Sequence, residues 1–191
     1  MLTYQDIIKR LWDDYTIQNP PVKRVYDLFL QTEGRVVNDH IALRTFDDPR
    51  VNIGVLATPF LKAGYRKMED YDFEEKHLNA SHFEHPDDPE APLVFISELR
   101  VKDFSSGFQH LVGKILNQLD PLRLESEELI FDTEIFGLPS REIYQELLKE
   151  SEYAGWLYIN GFRANHFTVS INANTRLNTL ELANQFLKDN G

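Results

Sequence analysis

Asn38-Asp39-His40-Ile41-Ala42-Leu43-Arg44-Thr45-Phe46 reads as a single β-strand whose chemistry is sorted by face. Side chains alternate along a strand, so His40, Ala42, Arg44 and Phe46 share one side, and Ile41, Leu43 and Thr45 the other. The pattern returns at Ala164-Asn165-His166-Phe167-Thr168-Val169-Ser170-Ile171-Asn172, where His166, Thr168, Ser170 and Asn172 alternate against Phe167, Val169 and Ile171. The two histidines are 126 positions apart. The same offset aligns Arg50 with Arg176, Asn52 with Asn178, Leu56 with Leu182, Phe60 with Phe186 and Lys62 with Lys188, with no gap.

The echo is that of a duplicated strand-then-helix unit. Two copies do not make a solenoid; they face each other and converge equivalent side chains on one shared site. His40 and His166 are the natural pair, against the blander alternative of two histidines buried with hydrogen-bond partners in a small barrel.

The rest of the composition narrows the chemistry. A chain of 191 residues, 42% hydrophobic and 12% aromatic, is long and apolar enough to pack a core as one domain or a tight pair of modules. Its net charge of −11 disfavours nucleic acid and anionic membranes, but not a small anion in a local basic pocket. With no cysteine there is no thiolate and no disulfide, so a metal must be held by His, Asp or Glu. Iron, manganese and zinc all remain open. The N-terminus lacks an apolar signal core and no run reaches membrane-spanning length, which predicts a cytoplasmic protein.

The chain divides into N-terminal helices (1–34), a first module (35–102), a connecting segment (103–163) and the start of a second module (164–191), all within one domain. Thr3 to Tyr15 is helical, with Thr3 and Asp6 in a capping-box pattern, and Val22 to Gln31 is a second amphipathic helix stopped at Gly34. Past the His40 strand, Val51 to Lys62 is a helix ending at Gly64, with Pro59 as a candidate kink. Tyr65–Phe73, Lys76–Phe83 and Leu93–Val101 are strands, which makes the first module β-α-β-β-β and the fold class α+β. Phe104 to Leu119 is helical, and the acidic stretch from Glu125 to Tyr158 has no repeat counterpart; it is expected to connect the modules and to cover the site. The second unit runs into a helix over about Leu177 to Lys188 and stops at Gly191 without its later strands.

Several residues are candidates for chemistry. Two imidazoles and a carboxylate that leave metal positions free are the donor set of non-haem Fe(II) oxygenases. Glu98, in the apolar run Leu93-Val94-Phe95-Ile96-Ser97-Glu98-Leu99, needs a partner and stands where a metal carboxylate could. Arg44 shares a strand face with His40 and can offer its planar fork to a substrate carboxylate, or else pair with a surface acid. Thr168 and Ser170 are placed to line a site beside His166. Asp39 and Asn165 precede the histidines but point to the opposite face of a regular strand, which makes them structural. His82-Phe83-Glu84-His85 has the composition of a small metal cluster but abuts a Pro- and Asp-rich loop, where a solvated turn is expected. There is no Gly-rich phosphate loop, nucleophile elbow or P-loop.

The two histidine stretches, together with Phe95-Ile96-Ser97-Glu98-Leu99, resemble the 2-oxoadipate dioxygenase/decarboxylase family, long catalogued as a domain of unknown function. The resemblance runs from the helices before His40 to the end of the chain. It implies a fold related to the vicinal oxygen chelate superfamily: paired β-α-β-β-β modules forming a partly open barrel around a metal site. It also implies an Fe(II) enzyme that converts 2-oxoadipate and O2 to D-2-hydroxyglutarate and CO2 in lysine breakdown. His40 and His166 match the family's histidine ligands, and Arg44 its substrate-carboxylate arginine. The third ligand, a glutamate, is expected beyond Gly191, with Glu98 as a substitute, so the chain reads as a fragment of the whole enzyme. Another metal enzyme on this fold, an isomerase or a ring-cleaving dioxygenase, is one alternative. A non-catalytic small-molecule binding module is the other.

Overall fold

The computed structural model describes residues 2–190. Helices α1 (Tyr4–Gln18) and α2 (Pro20–Glu33) lead into β1 (Asn38–Phe46). After β1 come α3 (Ile53–Lys62), β2 (Arg66–Phe73), β3 (Leu78–Glu84) and β4 (Leu93–Leu99). The chain then runs through α4 (Ser106–Leu116), a short α5 (Pro121–Leu124), α6 (Arg141–Leu148) and α7 (Glu152–Asn160) before β5 (His166–Val169) and α8 (Leu180–Asp189).

Local signals set these boundaries. The Thr3 hydroxyl accepts from the Asp6 amide at 3.2 Å while the Asp6 carboxylate accepts from the Thr3 amide at 3.0 Å, which is the expected capping box. Pro20 opens α2, where its missing N–H costs nothing, and Gly34 closes it in the left-handed region at φ 80°. Pro59 falls in the last turns of α3, and the helix continues through it to Lys62.

The five strands form one mixed sheet in the order β2-β3-β4-β1-β5, open at both edges. β1 and β4 run parallel, with α3, β2 and β3 between them in the chain; the other neighbours are antiparallel. The first module is therefore complete as β-α-β-β-β, and the second contributes one strand and one helix. Ile41, Leu43, Val94 and Ile96 are fully buried in one core with Leu56 and Phe60 of α3 and Ile7 and Leu11 of α1. That covered face leaves His40, Ala42 and Arg44 on the other side, where β1, β4 and β3 floor an open trough. The exposed edge strand β2 carries five charged side chains, Arg66, Lys67, Glu69, Asp70 and Asp72, which protect an unpaired edge from pairing with other chains.

Candidate active site

The pairing of β1 with β5 builds the site. Ile41 lies opposite Phe167 and Ala42 opposite His166 in the antiparallel ladder. Ile41 and Phe167 are also equivalent at the 126-residue offset, so a local two-fold axis passes through that pair. His40 and His166, each one residue before the axis, must then emerge on the same face from opposite sides. Phe167 points the other way, edge-on to Trp12 at 5.1 Å and against Tyr15 at 5.2 Å, so α1 covers the back of the axis.

The two imidazoles meet with Nε2 atoms 3.2 Å apart and ring planes at 78°. Asp39 Oδ2 lies 2.8 Å from His40 Nδ1, and Asn165 Oδ1 lies 3.1 Å from His166 Nδ1. Both acceptors call for a proton on Nδ1, an assignment made from the hydrogen-bond network, and this leaves both Nε2 lone pairs bare and facing each other. Burial pushes the pKa of His166 down, and the neighbouring His40 and Arg44 push it further in the same direction. Two Nε2 atoms facing each other in this way are suited to a metal cation between the rings, because ligation needs deprotonated Nε2 atoms.

Asp39 does not behave as a residue of a regular strand. The β1–β5 ladder shifts register between Asn38 and Ile41, a bulge that places an extra residue in β1 and swings the Asp39 carboxylate toward the His40 ring. The same bulge takes the His40 amide off the ladder. Thr168 replaces the lost partner: its hydroxyl accepts from His40 N at 3.0 Å, bonds His40 O at 3.1 Å and lies 3.0 Å from His40 Nδ1. Asn165 precedes β5 and anchors to Ala42 O at 2.7 Å, free of strand alternation.

Arg44 projects into the trough from the same face. It has no hydrogen-bond or ion-pair partner among the described residues, so the surface salt bridge entertained from sequence does not form. Instead its guanidinium lies over the rings of Tyr153 (4.8 Å) and Trp156 (4.9 Å). Burial lowers its pKa, and the nearby Tyr153 partly opposes that. The cavity, about 860 Å³, takes in His40, His166, Arg44, Phe95, Ser97 and Tyr153, and the first turn of α7 forms one wall. The connecting segment thus reaches the site, as its lack of a repeat counterpart suggested.

Other candidates lie elsewhere. Glu98 is on the opposite face of the sheet: Thr45 pairs with it in register, and its carboxylate accepts from the Ile53 amide at 3.0 Å and from Asn79 Nδ2 at 3.2 Å. It caps α3 and does not approach the histidines. Thr168 sits behind His40 rather than on the cavity wall. Ser170 follows β5, donating its amide to Val37 O at 2.8 Å, and it does not line the cavity either. His82 is buried, stacked on Phe95 at 5.3 Å with Nδ1 2.9 Å from the Tyr71 hydroxyl, because β3 extends through Glu84 where a solvated turn was expected. His85 turns away against Tyr4 and Tyr65, so the short His-Glu-His stretch makes no metal cluster. Among the described residues no group of three or more His, Asp or Glu side chains converges to hold a metal ion. His40 and His166 offer two facing donor nitrogens, which no third His, Asp or Glu side chain joins among the described residues.

Sequence reasoning missed Tyr153 and Trp156. Three residues apart in Glu152-Tyr153-Ala154-Gly155-Trp156, they share one helix face, a spacing that core packing produces just as readily.

Residues 13–134, more than half of the chain, match the family model described as 2-oxoadipate dioxygenase/decarboxylase. The chain belongs to that family. The matched stretch contains His40 and Arg44, while His166 falls in the wider match to a plant relative. That relative is the chloroplastic 2-oxoadipate dioxygenase/decarboxylase of Arabidopsis thaliana, 31% identical over 98% of this chain and 54% of the plant protein. The chain spans about half the length of the plant family members it matches. The crystal structure of the Oryza sativa hydroxyglutarate synthase in complex with 2-oxoadipate superposes with a TM-score of 0.87 at 28% identity, covering 98% of this chain and 64% of that one. A glyoxalase superfamily protein from Ralstonia eutropha JMP134 shares the fold at a TM-score of 0.66 and 24% identity, over 83% of this chain and 59% of that one. The chain thus has a mixed α+β fold that it shares with that protein. Among the described residues no helix is long and apolar enough to cross a membrane.

Proposed function

We propose that this chain carries two metal-ligating histidines and the substrate-carboxylate arginine of an Fe(II)-dependent 2-oxoadipate dioxygenase/decarboxylase. The observation that carries the reading is the facing pair of Nε2 atoms in one cavity with an arginine that has no acidic partner. 2-Oxoadipate and O2 become 2-hydroxyglutarate and CO2; the atoms balance without an added reductant, because the 2-oxo acid supplies the electrons. His40 and His166 would hold Fe(II), which would supply the one-electron chemistry that lets O2 react with a 2-oxo acid.

The chain's own residues bind and aim. Asp39 and Asn165 hold each imidazole by Nδ1, fixing tautomer and ring orientation so that both Nε2 lone pairs point into the cavity. Arg44 takes the carboxylate remote from the keto group through its planar donor fork, which sets the distance from that carboxylate to the reacting end. Phe95 and Ala42 give that end an apolar flank.

Oxygen uptake tests the reading. With Fe(II) and 2-oxoadipate the protein is expected to consume O2, and Arg44→Ala is expected to raise KM for 2-oxoadipate far more than for 2-oxohexanoate, which lacks the second carboxylate. Equal effects on both acids would remove Arg44 from this role. The lack, among the described residues, of a carboxylate converging with the two histidines favours one other reading, a small-molecule binding module without turnover; ligand binding with no Fe(II)-dependent uptake would select it.

A further inference from the structure

A half-buried arginine with no acid beside it is unusual, because desolvating the guanidinium costs free energy that a carboxylate normally offsets. Here the offset comes from two aromatic faces on one helix. Tyr153 and Trp156 are three residues apart on α7, so their rings rise side by side from one face, and Arg44 reaches across from β1 to lie over both.

Tyr153 cannot turn away. Its hydroxyl accepts from the Thr45 amide at 3.1 Å, donates to Ser97 O at 2.7 Å and lies 3.0 Å from Ser97 Oγ, so the ring is tied to β1 and β4 together. α7 packs close to α6: a Cβ on Gly155 would come within 2.7 Å of the Leu148 side chain and 3.3 Å of Tyr144, so a side chain there would have to push Leu148 aside. A π-face attracts the charge of a guanidinium without using its N–H donors, which lie in the plane of the group. An acidic partner would have consumed those donors.

We propose that Tyr153 and Trp156 are positioning residues: they form an aromatic seat that holds Arg44 charged and in place with its donor fork unspent, and so make the cavity selective for 2-oxo acids with a second, remote carboxylate. The inference rests on the 2-oxo acid reading of the site and adds the residues that set its selectivity. A salt-bridged arginine would have to break an ion pair for each substrate. Over the rings, it meets the incoming carboxylate without that competition.

The test uses Trp156→Leu, Trp156→Phe and Tyr153→Phe, each first checked for cooperative unfolding. Binding of 2-oxoadipate and 2-oxohexanoate is measured by calorimetry, and the Arg44 side-chain N–H signals are followed by NMR in the ligand-free protein. Trp156→Leu is expected to weaken 2-oxoadipate about tenfold, the worth of a desolvated cation–π contact, and to change 2-oxohexanoate less than about twofold. Trp156→Phe should restore most of the loss. Tyr153→Phe keeps the ring but frees it, and should broaden or shift the Arg44 signals even if Trp156→Leu does not fold. Parallel loss for both acids, or Arg44 signals as averaged in the wild type as in the variants, overturns the seat. Failure of the underlying reading looks different: the wild-type protein then binds neither acid, and the seat loses its role with it.

Discussion

Thr168→Val probes the link between the strand ladder and the histidine pair. Valine has the shape of threonine, so the change removes the hydroxyl without opening a cavity. Three contacts disappear, to His40 N at 3.0 Å, His40 O at 3.1 Å and His40 Nδ1 at 3.0 Å. The bulge has taken the His40 amide off the ladder, so that donor is left without an acceptor in a half-buried place, at a cost of about 1–2 kcal/mol. The ring also loses one of its two Nδ1 neighbours. Losing an outer-shell partner usually costs 10–100-fold in metal affinity, and Asp39 remains at 2.8 Å, so about tenfold is expected. Urea unfolding reads the first effect; anaerobic calorimetry with Fe(II), or with Co(II) as its surrogate, reads the second. Thr168→Ser keeps the hydroxyl and should recover most of the metal affinity. If Thr168→Val loses stability yet binds metal like the wild type, Thr168 serves only as a substitute rung of the ladder, and the argument that the bulge positions the imidazole is wrong.

Three further expectations follow from the same geometry. Glu98→Ala should cost about 1 kcal/mol in urea unfolding, by stripping the Ile53 amide of its acceptor, and should leave metal affinity unchanged; a loss of metal would return Glu98 to the site. Burial alone would raise the Glu33 pKa, but the amides of Thr175 and Leu177 and the Thr175 hydroxyl outweigh it and hold the carboxylate below its ordinary range. Its contribution is therefore present above the unfolded-state value of about 4.3 and lost as pH falls through the lower folded value. Unfolding midpoints of the wild type and Glu33→Gln should differ at pH 7 and converge toward pH 3, and a constant gap would contradict the clasp. Gly155→Val should crowd Leu148 and Tyr144 where α7 packs on α6, destabilising by about 1–3 kcal/mol and weakening 2-oxoadipate binding along with it; unchanged binding in a folded variant would uncouple the helix packing from Arg44.

Features that depend on alternation and local capping could be read before any coordinates. The Thr3 capping box, the β-α-β-β-β order and the opposite faces of Ile41 and His40 all follow from neighbours in sequence. The repeat added the one long-range fact, that His40 and His166 meet. What alternation could not supply was register between strands. The face of Glu98 relative to Arg44 is decided by Arg44 pairing with Ser97 across β4, and that offset is not written in either strand alone. The reorientation of Asp39 depends on a bulge in a ladder that forms only when β5 arrives from more than 120 residues away. Tyr153 and Trp156 stayed hidden for a related reason: an aromatic pair at helical spacing looks the same whether it packs on leucine or carries an arginine.

Because the two histidines sit on strands that run in opposite directions, their separation is quantised. Sliding β5 by one residue would turn His166 to the core side; sliding it by two would return it to the cavity but move it about 7 Å along the ladder from His40. No intermediate setting exists, so small strains in the flanking loops cannot gradually open or close the gap between the Nε2 atoms. The distance that a metal would experience behaves as a counted unit, locked by the Ile41–Phe167 rung, and a lengthened or shortened loop before Asn165 would be absorbed in the loop or would abolish the pair outright.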